Sequence, residues 1–195
     1  SYISRCHRSL KANLAENVGG IWEIKPSKEG WIPLSIAVAA AHPLGVGDAR
    51  YRYTRAAGYV DTVPFGSYWK NLFDKIGRFD ETLLTNEDYE LNARLRKFGF
   101  RVWLDPEIRS TYFSRPNLTQ LGKQYWRYGF WKWRMLKRYP DTIRWRQALP
   151  PLFILLLGLL LMASFFVPVA FKIFLTVVTV YTGTLIASSM KKAIF

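Results

Sequence analysis

TNEDYELNARLRKFGFRVWLDPEI, residues 85–108, joins a helix start, a helix stop and a strand within one short run. Leu91, Leu95 and Phe98 fall on one face at helical spacing, and Gly99 supplies the stop, so the pattern predicts a helix over 85–98. An apolar strand over 100–104 follows at once, and Asp105-Pro106 is expected to end it. A helix that delivers a strand directly indicates α/β organisation. Glu87 and Asp88 open the helix, where amide donors and the positive dipole end keep a carboxylate ionised and able to take a proton from a hydroxyl. Thr85-x-x-Asp88 also fits a capping box, in which Asp88 satisfies only a backbone amide. Both readings stand at this point.

Upstream, residues 1–16 read as a helix with Ile3, Leu10 and Leu14 on a broad face. Asn17-Val18-Gly19-Gly20 is expected to end it before a short strand over 21–24. A polar loop (25–30) and a small-residue helix (33–41) follow. GVGDARYRYTRAAG, residues 45–58, has no clear period and reads as a long surface loop. Within it Asp48, Arg50 and Arg52 are either solvated or placed to meet a phosphate, since arginine forks bind phosphate oxygens bidentately. No complete phosphate-cradling glycine motif accompanies them. DTVPFGS, residues 61–67, reads as a strand leading to a turn, with Asp61 either a strand-start residue or a ligand group and Gly66 a point of close backbone approach. Residues 69–76 read as a short helix closed by Gly77.

Downstream, residues 116–139 form an aromatic and basic helical region. Half of the 195 residues are hydrophobic, but unevenly so. Gln147 to Phe171 is uncharged, and so is Ile173 to Met190 after Lys172. Each is long enough to cross a hydrocarbon layer of about 30 Å. Pro150-Pro151 is placed at the start of the first span, where missing amide donors matter little. The second span, richer in Thr, Ser and Gly, suits contact with other helices.

The net charge is +14. Between Arg94 and Arg146 there are 14 Lys and Arg against three acids, Asp105, Glu107 and Asp141. This excess lies next to the first span, and Lys191-Lys192 follows the second, so a hairpin turning near Pro168 puts both basic flanks on the cytoplasmic side. With the cations gathered there and no nucleic-acid motif present, nucleic acid is not the expected partner. Cys6 is the only cysteine, so no internal disulfide forms. His7 and His42 lack partners at metal-ligand spacing.

Taken together, GVGDARYR, VDTVPFGSYWK, the Glu87-Asp88 helix start and LDPEIRSTY resemble family 2 glycosyltransferases, over about Asn17 to Leu155. They look most like members that build bacterial exopolysaccharides. The resemblance implies a GT-A-like nucleotide-diphospho-sugar transferase fold, with Asp88 as catalytic base and Glu87 beside it. It places Asp61, Phe65, Gly66 and Ser67 beneath donor sugar and acceptor. Gln124-Tyr125-Trp126-Arg127-Tyr128 is similar to the Gln-x-x-Arg-Trp motif of processive members, with Tyr128 in place of Trp, so processivity is not implied. Gln124, Arg127 and Tyr128 are then substrate-binding candidates, in a segment whose interleaved rings and cations also fit a headgroup layer.

The resemblance further implies a nucleotide-sugar donor, a saccharide or lipid-linked acceptor, and a divalent cation, Mg or Mn. Its Asp-x-Asp-like ligand motif would fall just upstream of Ser1, so the chain is expected to be the C-terminal part of such an enzyme. The expected organisation is a partial transferase domain over 1–115, an amphipathic interfacial region over 116–146 and two transmembrane helices over 147–190. The catalytic part would face the cytoplasm from a bacterial inner (plasma) membrane that the chain crosses more than once. The alternative is a non-catalytic membrane-anchored module that binds anionic lipid or a partner protein; it makes Asp88 a cap and nothing more.

Overall fold

The computed structural model describes residues 1–12, 14–142 and 145–193. Asn13, expected in the first helix, and residues 143–144, expected in the interfacial region, lie outside them. The chain divides into two compact units, Ser1–Thr142 and Ile143–Phe195.

The first unit is α/β. Helix α1 (Tyr2–Lys11) leads into strand β1 (Asn17–Lys25), followed by helices α2 (Trp31–Ala40) and α3 (Pro43–Val46). A 3-10 turn at Arg50–Arg52 precedes strands β2 (Gly58–Val60) and β3 (Ser67–Tyr68), helices α4 (Leu72–Ile76) and α5 (Glu87–Lys97), strand β4 (Val102–Phe113) and helix α6 (Leu118–Arg138). The sheet order is β2-β4-β1-β3, with β1 and β4 parallel at the centre and the short strands antiparallel at the edges. Cys6 and Leu10 of α1 pack on Val18 and Ile108 on one face. On the other, Leu72, Ile76, Leu91 and Leu95 of α4 and α5 pack with Ile21, Val63, Val102 and Leu104. This helix, sheet, helix layering is how both faces of a central parallel pair are kept from water.

Four expectations are corrected. The glycines at 19 and 20 do not stop α1; they lie inside β1, which begins at Asn17. A Cβ on Gly20 would meet the Ile108 carbonyl oxygen at 1.8 Å, and one on Gly19 would meet Val63 Cγ2 at 2.6 Å. They are thus glycines of close approach, not of termination. Asp105-Pro106 does not end β4, because the strand carries a bulge there. Pairing passes from Gly19↔Leu104 to Ile21↔Arg109, two residues along β1 against five along β4. Pro106, which has no amide to donate, sits in that interruption, and Asp105 ties it down by accepting from the Glu107 amide (2.9 Å) and the Ser9 hydroxyl (3.0 Å). Residues 61–66 are irregular, and the strands lie on either side at β2 and β3. The expected loop over 45–58 contains the end of α3 and the 3-10 turn.

The second unit consists of helices α7 (Trp145–Ser164) and α8 (Pro168–Ala193). Gln147–Ser164 and Pro168–Ser188 are long and apolar enough to cross a membrane, with mean hydropathies of 2.0 and 1.8. The turn between them falls where Pro168 predicts it. Two details differ from expectation. Pro150 and Pro151 lie inside α7, more than a turn past its start, and Lys172 lies in the first turns of α8, not between the spans. Hydroxyls in these helices close onto their own backbone, as Thr176 to the Lys172 carbonyl (2.9 Å) and Thr184 to the Val180 carbonyl (2.8 Å). That removes polar groups that hydrocarbon would penalise.

Candidate active site

The site forms where the ends of β1 and β4, the Arg50–Arg52 turn, the start of α5 and one face of α6 converge. Helix α5 starts at Asn86, whose backbone is left-handed (φ 71°) and whose side chain makes no cap. Thr85 does not form the capping box either. Its hydroxyl donates to the Leu84 carbonyl at 2.7 Å and accepts from Arg127 Nε at 3.4 Å. Asp88 Oδ1 accepts from the adjacent Tyr89 amide, at 2.7 Å. The carboxylate is open to solvent but has protein on most sides. That desolvation pushes its pKa above the ordinary carboxylate value; the Glu87 charge adds to the rise, while the Tyr89 amide and Lys132 oppose it.

Three groups respond to this carboxylate. Burial first, and then the Asp88 charge, raise the Tyr68 phenol far above its usual range. The Tyr51 phenol is raised by burial, with Asp88 and Tyr128 adding to the rise and Arg52 opposing it. Lys132 of α6 rests its ammonium 3.6 Å from the Tyr89 ring centroid. Burial pushes its pKa down to about 8, with Asp88 pulling the other way.

An aromatic wall adjoins them. Trp22 and Tyr112 project from one sheet face and stack at 4.3 Å, with Tyr51 edge-on to Trp22 at 5.1 Å. The Arg52 guanidinium lies over Trp22 at 4.9 Å. Gln124 holds this wall to α6, donating to the hydroxyls of Tyr112 (3.1 Å) and Tyr128 (2.7 Å) while accepting from Arg115 Nε (2.9 Å).

A polar ladder supports the floor. Asn17, fully buried, donates to Asn92 Oδ1 (2.6 Å) and the Tyr68 hydroxyl (3.1 Å), and Asn92 donates to Thr62 Oγ1 (3.0 Å). Gly66 passes directly over it. A Cβ there would meet Asn17 Oδ1 at 2.4 Å and the Tyr68 hydroxyl at 2.8 Å. Phe65, exposed and at φ 48°, stands 6.3 Å from Trp22, with its carbonyl accepting from the Tyr2 hydroxyl at 2.9 Å.

Of the residues singled out in sequence, Glu87, Asp88, Phe65, Gly66, Gln124, Arg127 and Tyr128 thus gather around one recess. Ser67 pairs with Val18 at the edge of the sheet. Asp61 lies elsewhere, facing Arg96 at 4.0 Å, two turns along α5 from Asp88. Trp22, Tyr51, Tyr68, Tyr112 and Lys132 were not legible as site residues. The alternation of ring-bearing positions in β1 and β4 was the available signal, but it is the same in a structural sheet. Among the described residues no three of His, Cys, Asp and Glu come together as a metal-ligand set.

The chain is similar to two curated proteins. It is 31% identical over 140 residues to the dolichyl N-acetyl-alpha-D-glucosaminyl phosphate 3-beta-D-2,3-diacetamido-2,3-dideoxy-beta-D-glucuronosyltransferase of Methanococcus voltae, a match of 71% of this chain and 43% of that protein. It is 29% identical over 114 residues to the succinoglycan biosynthesis protein ExoA of Rhizobium meliloti (strain 1021), covering 58% of this chain and 34% of that one. The chain therefore spans less than half the length of either relative. No protein-family model and no solved structure matches it. The relatives' names join glycosyl transfer to polysaccharide biosynthesis, and the two apolar helices fit membrane association.

Proposed function

We propose that the chain is the acceptor-side part of a membrane-bound, family 2-type inverting glycosyltransferase. It would move a sugar from a nucleotide-sugar onto a saccharide or lipid-linked acceptor in polysaccharide synthesis. The acceptor hydroxyl oxygen attacks the anomeric carbon, and the bond from that carbon to the diphosphate breaks. The electron pair leaves with the nucleoside diphosphate, and the hydroxyl proton passes to the Asp88 carboxylate. The observation that carries this reading is the state of Asp88: it stands in the first turn of α5 with protein on most sides, and that desolvation raises its affinity for a proton. The aromatic wall suits the apolar face of a sugar ring. The exposed Tyr125, Trp126, Phe130 and Trp133 of α6, interleaved with cations, suit a headgroup layer from which a lipid-linked acceptor is presented.

The test is sugar transfer by the full-length protein in membranes, with labelled nucleotide-sugars and native lipid extract, comparing wild type with Asp88→Asn. Loss of a positioned base lowers transfer by roughly 10²–10⁴-fold, with thermal stability unchanged. Normal transfer by Asp88→Asn sinks the base assignment, and a membrane-anchored binding module then becomes the better account.

A further inference from the structure

Arg52 differs from the other well-placed arginines of this unit. Arg94, Arg96, Arg109 and Arg138 each face an acid within 4.0 Å. Arg52 is in none of these four pairs. Its guanidinium is instead held by rings, 4.9 Å from Trp22, 5.6 Å from Tyr51 and 5.9 Å from Tyr112, with Nε 3.4 Å from the Tyr51 hydroxyl. The Tyr51 hydroxyl accepts from Nε, while stacking fixes the plane of the fork but accepts none of its other N–H groups. Those N–H groups, on a partly buried cation, suit a ligand that supplies oxygens.

Neighbouring donors lack the same thing. The buried Trp22 Nε1, which can only donate, has no acceptor, and neither has the buried Asn86 Nδ2 just ahead of Glu87. Ser110, the direct cross-strand partner of Trp22, has a buried hydroxyl with no hydrogen-bond partner. Buried donors left this way in a native fold call for a partner. Cations of α6 border the same recess: Arg127 reaches Thr85 beside Asn86, and Lys132 lies over Tyr89.

We infer that Arg52, held on the Trp22–Tyr112 stack, is a binding residue for a phosphate group of the substrate. It takes phosphate oxygens with its fork while the rings beside it carry the adjoining sugar. The inference rests on the glycosyl-transfer reading for the source of that phosphate, which is either a lipid-linked acceptor or the nucleotide donor. It does not rest on Asp88, since the fork binds whether or not a proton is transferred.

The test is therefore binding, not turnover. Full-length protein in detergent is titrated with a polyprenyl phosphate in mixed micelles and, separately, with a panel of nucleoside diphosphates, for wild type, Arg52→Met, Arg52→Lys and Asp88→Asn. Arg52→Met is expected to weaken one of the two ligand classes by roughly ten- to hundredfold, the range of a charged hydrogen-bonded contact. The class that weakens identifies the source. Arg52→Lys keeps the cation on the rings and guards against misfolding; it is expected to lose affinity for that same class, because an ammonium has no fork. Asp88→Asn is expected to bind as wild type does. Equal affinities of wild type, Arg52→Met and Arg52→Lys in both arms overturn the inference, as does the absence of wild-type binding in both. Loss of transfer with intact binding in Asp88→Asn, or intact transfer there, bears on the base alone.

Discussion

At the residue scale, the site turns on opposing influences on one carboxylate. Burial and Glu87 push the Asp88 pKa up, while the Tyr89 amide and Lys132 pull it down. A general base works when deprotonated, so kcat/KM of the full-length protein is expected to rise with pH through the Asp88 titration. Lys132→Met removes a positive charge that favours the carboxylate. The Asp88 pKa then climbs further, and the acid limb of the kcat/KM profile moves to higher pH. Lys132 itself loses its proton near pH 8, so the two profiles should converge above that value. An acid limb that stays in place in Lys132→Met would show that the ammonium does not act on Asp88. The capping reading of Thr85-x-x-Asp88 was equally legible in sequence. The Thr85 side of the box is not formed, because Asn86 takes a left-handed turn and Thr85 is committed to Leu84 and Arg127, which no spacing rule anticipates; Asp88 does accept from the first-turn Tyr89 amide.

At the scale of elements, α5 carries both the candidate base and the tie that holds it. Glu90, one turn beyond Glu87, is buried and paired with Arg94 through two hydrogen bonds of 3.0 and 2.6 Å. Arg94 also donates to the carbonyls of Ile76 (2.6 Å) and Arg78 (3.0 Å), which fastens α5 to the end of α4. Arg94→Met leaves a buried carboxylate without its partner, and the expected loss is about 3–5 kcal/mol in denaturant unfolding of the first unit's signal. Arg94→Met with Glu90→Gln should recover part of it, since a neutral amide is cheaper to bury than an unpaired charge. If the single variant unfolds as wild type does, the pair contributes no net stability. The periodicity that predicts α5 comes from Leu91 and Leu95, both fully buried. The Glu90–Arg94 pair is itself an i,i+4 spacing that local pattern allows; what lay beyond local pattern is that Arg94 also reaches the Ile76 and Arg78 carbonyls at the end of α4.

At the scale of the whole molecule, two uncharged stretches and their basic flanks lead to a definite topology. Reporter fusions before α7 and after α8 are expected to report the same cytoplasmic side, whereas a fusion at residues 165–167, in the turn, reports the opposite side. Reporters that disagree across the pair would remove the hairpin. Each of the two similar proteins is more than twice as long as the stretch it shares with this chain.

Much of this protein was determined by its sequence alone: the α/β character of the first unit, helix α5 with acids at its start, the aromatic and basic α6, and two apolar helices turning near Pro168. These follow from local rules of periodicity, capping residues and hydropathy, which act over a few neighbouring positions. The tertiary structure decided what those rules do not reach. Gly19 and Gly20 lie within a strand because Val63 and Ile108 press against them, and β4 continues past Pro106 through a bulge. Trp22 and Tyr112 stack, with Tyr51 and Arg52 against them, only because β1 and β4, more than eighty residues apart in sequence, pair in parallel. Register and crowding are properties of the packed chain, and no window of sequence contains both partners.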